Sequence, residues 1–139
     1  MIVLDTNVLS EVLRPAPQAR VLDWLQDQPR ASLFTTTITR AEILYGIRSL
    51  PKGKRRDGLW DAAMKIFDVD LAGQVLTFDS VAADEFAQLS ASRCAAGRPI
   101  TQFDALIAGI ARSRGAKLAT RNVSDFEECG IAVIDPWKD

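Results

Sequence analysis

The stretch that decides the fold is Met1-Ile2-Val3-Leu4-Asp5-Thr6-Asn7, at the start of the chain. Its uninterrupted apolar run, Ile2 to Leu4, is too short for a helix and is typical of a strand buried on both faces. Because the run stops at Asp5, this carboxylate is predicted at the carboxyl end of a central parallel strand, where open α/β sheets bind their ligands. A carboxylate is costly to bury without a cation, so the position of Asp5 predicts a cationic partner.

The composition indicates one soluble globular domain that spans residues 1–139, with 47% hydrophobic and 25% charged residues. No apolar stretch reaches the ~18 residues of a membrane span, and the first residues lack the pattern of a signal peptide. Cys94 and Cys129 are the only cysteines. They predict reduced thiols and a cytoplasmic protein.

The chain contains no histidine. This excludes Ser-His-Asp triads, histidine-based nucleases and nearly every kind of zinc site. A bound metal would need oxygen ligands, which favours Mg²⁺ or Mn²⁺. The net charge of −1, from 17 basic and 18 acidic residues, neither favours nor excludes nucleic acid as a partner.

Predicted strands and helices alternate along the chain. After the first run, strands are predicted at Ser32–Thr37, Val75–Phe78, Lys117–Ala119 and Ile131–Ile134. Helices are predicted at Asn7–Leu13, between Pro17 and Pro29, from Thr39 to Leu50, after a basic turn at Pro51–Arg56, from Ser80 to about Ala96, at Thr101–Arg114 and at Asn122–Glu128. This alternation predicts an α/β fold, a parallel sheet with helices on both faces.

Four carboxylates stand apart from the solvated charges: Asp5, Glu42, Asp104 and Asp125. The last three are predicted in the first turns of helices, three residues after Thr39, Thr101 and Asn122 respectively. Each acid also has an ordinary structural explanation. Asp5 would cap the first helix, Glu42 would complete a capping box with Thr39, and Asp125 would complement the helix dipole. Asp104 is harder to explain in this way, because its helix is apolar nearly all round.

Considered together, the four acids predict a metal site. First turns of helices are electropositive and can hold carboxylates close together. Converging carboxylates repel one another and raise one another's pKa, a cost that a divalent cation relieves. Carboxylate clusters without histidine are typical Mg²⁺ sites of phosphoryl-transfer enzymes.

Four motifs and the closing segment resemble the PIN-domain nucleases, and more narrowly the VapC and FitB-like toxins of bacterial type II toxin–antitoxin pairs. They are Ile2-Val-Leu-Asp5-Thr-Asn-Val-Leu-Ser-Glu11, Thr39-Arg-Ala-Glu42-Ile, Phe103-Asp104-Ala-Leu-Ile-Ala, Leu118-Ala-Thr-Arg-Asn122-Val-Ser-Asp125-Phe and Val-Ile-Asp-Pro-Trp137. Together the order and spacing of these motifs are specific, whereas any one alone would be weak.

The resemblance implies a three-layer α/β/α fold with five parallel strands. It also implies a Mg²⁺- or Mn²⁺-dependent endoribonuclease, a cognate antitoxin that blocks it, and a homodimer. By the same resemblance, Asp5, Glu42 and Asp104 match the family's three metal-site acids, while the fourth position falls to Asn122 or Asp125. Thr6 and Thr120 match positions that usually support the acids.

The mechanism expected from these matches is hydrolysis of RNA. Asp5 and Asp104 would ligate the metal directly, and Glu42 and Asp125 directly or through water, leaving a 5′-phosphate and a 3′-hydroxyl. Arg40, Arg98 and Arg121 adjoin a motif acid or its helix start and are candidate RNA contacts. The basic run Lys52 to Arg56 is either a further contact or a solvated loop.

Three other functions compete with this hypothesis. A haloacid-dehalogenase-like phosphatase needs a second Asp where this chain has Asn7. A receiver-like phospho-acceptor module needs adjacent acids before its first helix, whereas Asp5 stands alone. The third is a weakly active or non-catalytic partner of a DNA-binding antitoxin, which would reach operator DNA only through that antitoxin. One protein can have both this third function and nuclease activity.

Overall fold

The structure, a computed structural model, describes residues 1–139, and its central strand is β1, Ile2–Leu4. The other strands are β2 (Leu33–Thr36), β3 (Val75–Leu76), β4 (Lys117–Ala119) and β5 (Val133–Ile134). They form one sheet in the order β3-β2-β1-β4-β5, and every pairing is parallel. The predicted parallel sheet is therefore confirmed, although the two edge strands are shorter than the sequence pattern predicts.

Six α-helices cover the sheet. They are α1 (Thr6–Val12), α2 (Ala19–Asp27), α3 (Thr37–Arg48), α4 (Lys54–Lys65), α5 (Ser80–Ala95) and α6 (Gln102–Ser113). Short 3₁₀ segments occur at Arg30–Ser32 and Val123–Phe126, and α4 continues into a π-helical turn at Ile66–Asp70. None of these helices combines the length and the apolar character needed to cross a membrane.

The predicted basic turn and the predicted helix at Asn122–Glu128 both differ from the structure. The basic turn ends at Gly53, whose φ of 155° no other residue adopts easily, and the basic residues from Lys54 onward form the first turn of α4. The predicted helix at Asn122–Glu128 is only a 3₁₀ turn at Val123–Phe126. Helical geometry ends at Glu127, whose backbone is extended with φ −60° and ψ 144°, and Glu128 follows with a positive φ of 60°.

Two apolar cores lie on opposite faces of the sheet, as the alternation of strand side chains requires. Val3 joins the core that α5 and α6 cover, whereas Leu4 joins the core that the first four helices cover. Both side chains are buried, which confirms the prediction for β1. The result is a three-layer α/β/α architecture. Cys94 and Cys129 are both free, and no disulfide links the layers.

Helices α5 and α6 pack very closely at Gly109. A Cβ atom at this position would lie 2.9 Å from the backbone oxygen of Ala82 and 3.1 Å from the Cβ atom of Phe86. The missing side chain therefore lets the two helices approach each other. This contact fixes the position of α6 relative to α5.

The strand order places a topological switch point between β1 and β4. From β1 the chain proceeds outward to β2 and β3, and then returns to add β4 and β5 on the other side. In open α/β sheets the crevice at the carboxyl ends of such strands is where ligands bind. Asp5 directly follows β1 and Thr120 directly follows β4, so both lie at this crevice.

Candidate metal centre

Asp5 lies at the bottom of the crevice, with only 4% of its surface exposed. The Thr6 backbone N–H donates to its Oδ1 at 2.8 Å, so Asp5 caps α1 as the structural explanation predicted. The Thr120 hydroxyl donates to its Oδ2 at 2.7 Å, and Asn7 Nδ2 lies 3.4 Å from the same oxygen. The carboxylate therefore caps a helix and is also fixed from the neighbouring strand.

Burial raises the pKa of Asp5 to about 6. The hydrogen bonds from Thr120 and from the Thr6 backbone oppose this rise, whereas the charges of Asp104 and Glu42 add to it. Burial is the main cause, and Asp104 and Glu42 act on Asp5 through their charges because both line the same cavity. A cation at this place would offset both the burial and the repulsion.

Glu42 has a different environment from the one predicted. Helix α3 begins at Thr37, and its N-cap is Thr36, whose hydroxyl accepts the Thr39 N–H at 3.1 Å. The predicted capping box between Thr39 and Glu42 is therefore wrong, and Glu42 lies in the second turn. Its Oε1 instead accepts a hydrogen bond from the Thr6 hydroxyl at 2.8 Å, which links α3 to α1.

Asp104 lies in the first turn of α6, as predicted, and is half-buried. Burial raises its pKa, and the charge of Asp125 adds to the rise, while the nearby Thr101 hydroxyl partly offsets it. Asp125 itself is exposed in the 3₁₀ turn after β4. Asp125 is near enough to act on Asp104 through its charge, but it is not buried beside it.

The segment that carries Asp125 is held by a buried arginine. Arg93, which is 5% exposed, donates through Nη1 to the backbone oxygens of Asp125 at 2.9 Å and Glu127 at 2.8 Å. Its Nε donates to the backbone oxygen of Arg98 at 2.7 Å. Sequence reasoning missed this residue, because nothing in the local pattern distinguishes it from a solvated helix arginine.

Asp5, Glu42 and Asp104 open into one cavity of about 410 Å³ at the carboxyl edge of the sheet. Thr6, Asn7 and Asn122 also line it, whereas Asp125 does not. Four further lining residues were not predicted, namely Ser10, Glu11, Arg14 and Trp137. Ser10 and Glu11 lie three and four residues after Asn7, so the face of α1 that follows Asp5 could have revealed these two.

The donors of this cavity fit a hard divalent cation, because carboxylate and amide oxygens are the ligands such ions prefer. The buried Asp5 carboxyl, whose pKa is raised, is the strongest indication that positive charge belongs here. The structure brings no three acids close enough to surround a single ion.

The three candidate RNA-contacting arginines lie in different places. Arg121 is exposed at the mouth of the cavity. Arg40 forms an ion pair with Asp68 at 2.8 Å, and Arg98 forms one with Glu127 at 2.8 Å. Neither Arg40 nor Arg98 lines the cavity, so the structure brings only Arg121 to the acids.

The match to a known protein family covers most of the chain, because the PIN domain model matches residues 2–130. The chain belongs to the PIN-domain family. Among curated relatives of this PIN-domain chain, the plasmid stability protein StbB of Pseudomonas syringae pv. tomato is 44% identical over 99% of both chains. The VapC ribonuclease Y4jK of Sinorhizobium fredii is 39% identical over 99% of both, and the toxin FitB of Neisseria gonorrhoeae is 35% identical over 100% of both.

A solved structure agrees with these sequence relationships. The structure of FitAB bound to the IR36 DNA fragment contains a chain that superposes on this PIN domain with a TM-score of 0.94 at 34% identity. The match covers 100% of this chain and 97% of that one. The resemblance to VapC and FitB-like proteins that the four motifs indicate is thereby confirmed, and so is the predicted fold.

Proposed function

We propose that this PIN-domain protein is a metal-dependent endoribonuclease and the toxin of a type II toxin–antitoxin pair. One observation carries the proposal: Asp5, Glu42 and Asp104, which come from three distant segments, open into a single cavity at the carboxyl edge of the sheet. The names of the relatives support it, because one is a VapC ribonuclease and another is the toxin FitB.

In the proposed site, Asp5 and Asp104 would hold a Mg²⁺ or Mn²⁺ ion directly, and Glu42 and Asp125 would hold it directly or through water. Asn122 lines the same cavity and is the uncharged alternative to Asp125. The chemistry that such a cation supplies is Lewis acidity, which lowers the pKa of a coordinated water and neutralises charge on the phosphate.

The surrounding hydrogen bonds hold the acids in place for this task. Thr120 and the backbone of Thr6 fix both oxygens of Asp5, so its carboxylate has one orientation at the bottom of the cavity. The Thr6 hydroxyl fixes Glu42 and lies 3.0 Å from the Thr39 hydroxyl. Because these partners are buried or half-buried, they orient the carboxylates of Asp5 and Glu42 before the substrate binds.

The test is single-turnover cleavage of a structured RNA by the purified chain, with Mg²⁺ or Mn²⁺ and with excess EDTA. We expect cleavage only with metal, product ends that carry a 5′-phosphate and a 3′-hydroxyl, and loss of cleavage in Asp5→Asn. The exposed acid Asp23 offers the matched control, since Asp23→Asn leaves the cavity intact. Cleavage that survives EDTA or Asp5→Asn would refute the proposal.

A second function is favoured by the comparison with FitAB, whose solved structure contains DNA. We propose that this chain also associates with a cognate antitoxin, and that the complex binds operator DNA through the antitoxin. One variant distinguishes the two functions. Asp5→Asn should abolish RNA cleavage and leave operator repression by the complex intact. A homodimer stays a prediction, which light scattering of the purified chain tests.

A further inference from the structure

The charges around the cavity are unfavourable for a nucleic acid. Four carboxyl groups and two guanidinium groups line it. One of these guanidinium groups is already engaged, because Arg14 Nη1 lies 3.3 Å from Oε1 of the buried Glu11. The other belongs to Arg121, whose side chain forms no ion pair or hydrogen bond. Arg121 is therefore the one cation at the cavity that is available to an incoming anion.

Arg121 is nevertheless held in place. It follows Thr120, the residue that donates to Asp5, and its backbone N–H donates to Oδ1 of Asn7 at 3.3 Å. Its guanidinium lies over the indole ring of Trp137, with 5.2 Å between the guanidinium carbon and the ring centroid. Both residues line the cavity. The position of the charge is thus fixed by the backbone at one end and by an aromatic face at the other.

Trp137 is in turn fixed by the closing segment of the chain. Its backbone N–H donates to Oδ1 of the buried Asp135 at 2.9 Å, and the N–H of Asp135 donates to Oδ2 of Asp139 at 2.9 Å. The indole packs against the core that the first four helices cover. The closing segment therefore holds the backbone of Trp137, and this core supports its indole ring.

We propose that Arg121, held on the face of Trp137, binds an RNA phosphate beside the acid cavity. The inference rests on the proposed ribonuclease function and names how that site engages its substrate. A guanidinium that lies over an indole keeps its N–H donors free for an anion. Phosphate contacts of this kind set the register of the RNA strand without reading its sequence.

The test measures binding rather than cleavage. A short fluorescein-labelled single-stranded RNA is titrated by anisotropy with Mg²⁺ present, in an Asp104→Asn background that prevents turnover, over a series of KCl concentrations. Arg121→Gln should weaken binding about five-fold and reduce the slope of log K against log [KCl] by about 0.7, the value for one phosphate contact to a single strand. Arg121→Lys should retain the slope.

The chain offers a matched control for this substitution. Arg48 also lies over an indole, that of Trp60, at 4.5 Å from the ring centroid, but neither residue lines the acid cavity. Arg48→Gln removes the same charge from the same kind of contact and should change neither affinity nor slope. Equal effects of Arg121→Gln and Arg48→Gln, or an unchanged slope in Arg121→Gln, overturn the inference.

The role of Trp137 is tested through its coupling to Arg121. Trp137→Leu should weaken RNA binding without changing the salt slope, because the charge remains, and Trp137→Phe should keep most of the affinity. Combined with Arg121→Gln, Trp137→Leu should cause no additional loss. If the losses in RNA-binding free energy from the two substitutions add fully, Trp137 does not act through Arg121. Circular dichroism of each variant shows that the fold is retained.

The outcomes for this inference and for the ribonuclease function are distinguishable. If the unsubstituted protein cleaves no RNA but binds it through Arg121, the inference holds and the ribonuclease function fails. If cleavage is normal and Arg121→Gln leaves RNA binding unchanged, the ribonuclease function holds and the inference fails.

Discussion

Raising the pH without divalent cations should destabilise this protein through Asp5. The carboxyl has an ordinary pKa of 3.8 and a pKa of about 6 in the folded state. The folded state holds this proton more tightly than the unfolded state. The stability that protonated Asp5 contributes is therefore fully present below pH 3.8. It is lost as the pH rises through about 6. At about 1.4 kcal/mol per pKa unit, the loss at neutral pH is about 3 kcal/mol.

The measurement is urea unfolding in EDTA over a pH series, for the unsubstituted protein and for Asp5→Asn. The substitution alters the hydrogen bonds to Thr120 and Asn7, which adds a constant difference in the free energy of unfolding. The part of the difference that changes with pH reports the ionisation of Asp5. We expect the stability of Asp5→Asn relative to the unsubstituted protein to increase by about 2.4 kcal/mol between about pH 4 and about pH 7.

Mg²⁺ provides the second arm of this experiment. At neutral pH, added Mg²⁺ should stabilise the unsubstituted protein, because it binds the folded state, and should have little effect on Asp5→Asn. If the difference in the free energy of unfolding between the two proteins does not change with pH, burial of the ionised Asp5 carboxylate costs little. That result would remove the main physical reason for placing a cation in the cavity.

Three further predictions concern the supports of the site and of the fold. Thr120→Val removes the donor at 2.7 Å from Asp5 and should raise the pKa of Asp5 further, which the same pH series detects as a higher midpoint. Arg93→Met leaves several backbone oxygens without a donor and should lower the free energy of unfolding by about 3 kcal/mol in urea. Gly109→Ala should cost about 1–3 kcal/mol through overpacking. Gly58→Ala, at a helical position with nothing within 4 Å, should instead raise the thermal midpoint.

The sequence was most informative where local patterns and burial agree. The apolar run Ile2–Leu4 could be read as a buried strand because its side chains alternate between two cores, and both cores need apolar partners. The helix predicted at Thr101–Arg114 matches α6, since Gly115, with a φ of 61°, provides the left-handed residue that ends it. The convergence of Asp5, Glu42 and Asp104 on one cavity followed from the parallel arrangement of the strands.

Prediction failed where several local solutions compete. Thr36 and Thr39 could each begin α3, and no local rule distinguishes them. In the structure Thr36 is the cap, and the Thr39 hydroxyl is instead 3.0 Å from that of Thr6. The role of Arg93 was also hidden, because its partners lie 32 and 34 residues further along the chain and are backbone oxygens. Contacts of this kind leave no periodic signal in a single sequence.

The shortness of the two outer strands has a consequence for how this protein meets other chains. Strands β3 and β5 each contain two residues, Val75–Leu76 and Val133–Ile134. Edges this brief present few unpaired backbone groups, so they are poor templates for a strand from another molecule. Growth of the sheet from one copy into the next, the usual first step toward fibrils, is therefore discouraged at both ends. Association with another chain is therefore favoured through side-chain contacts, whose shape and charge can distinguish one partner from another.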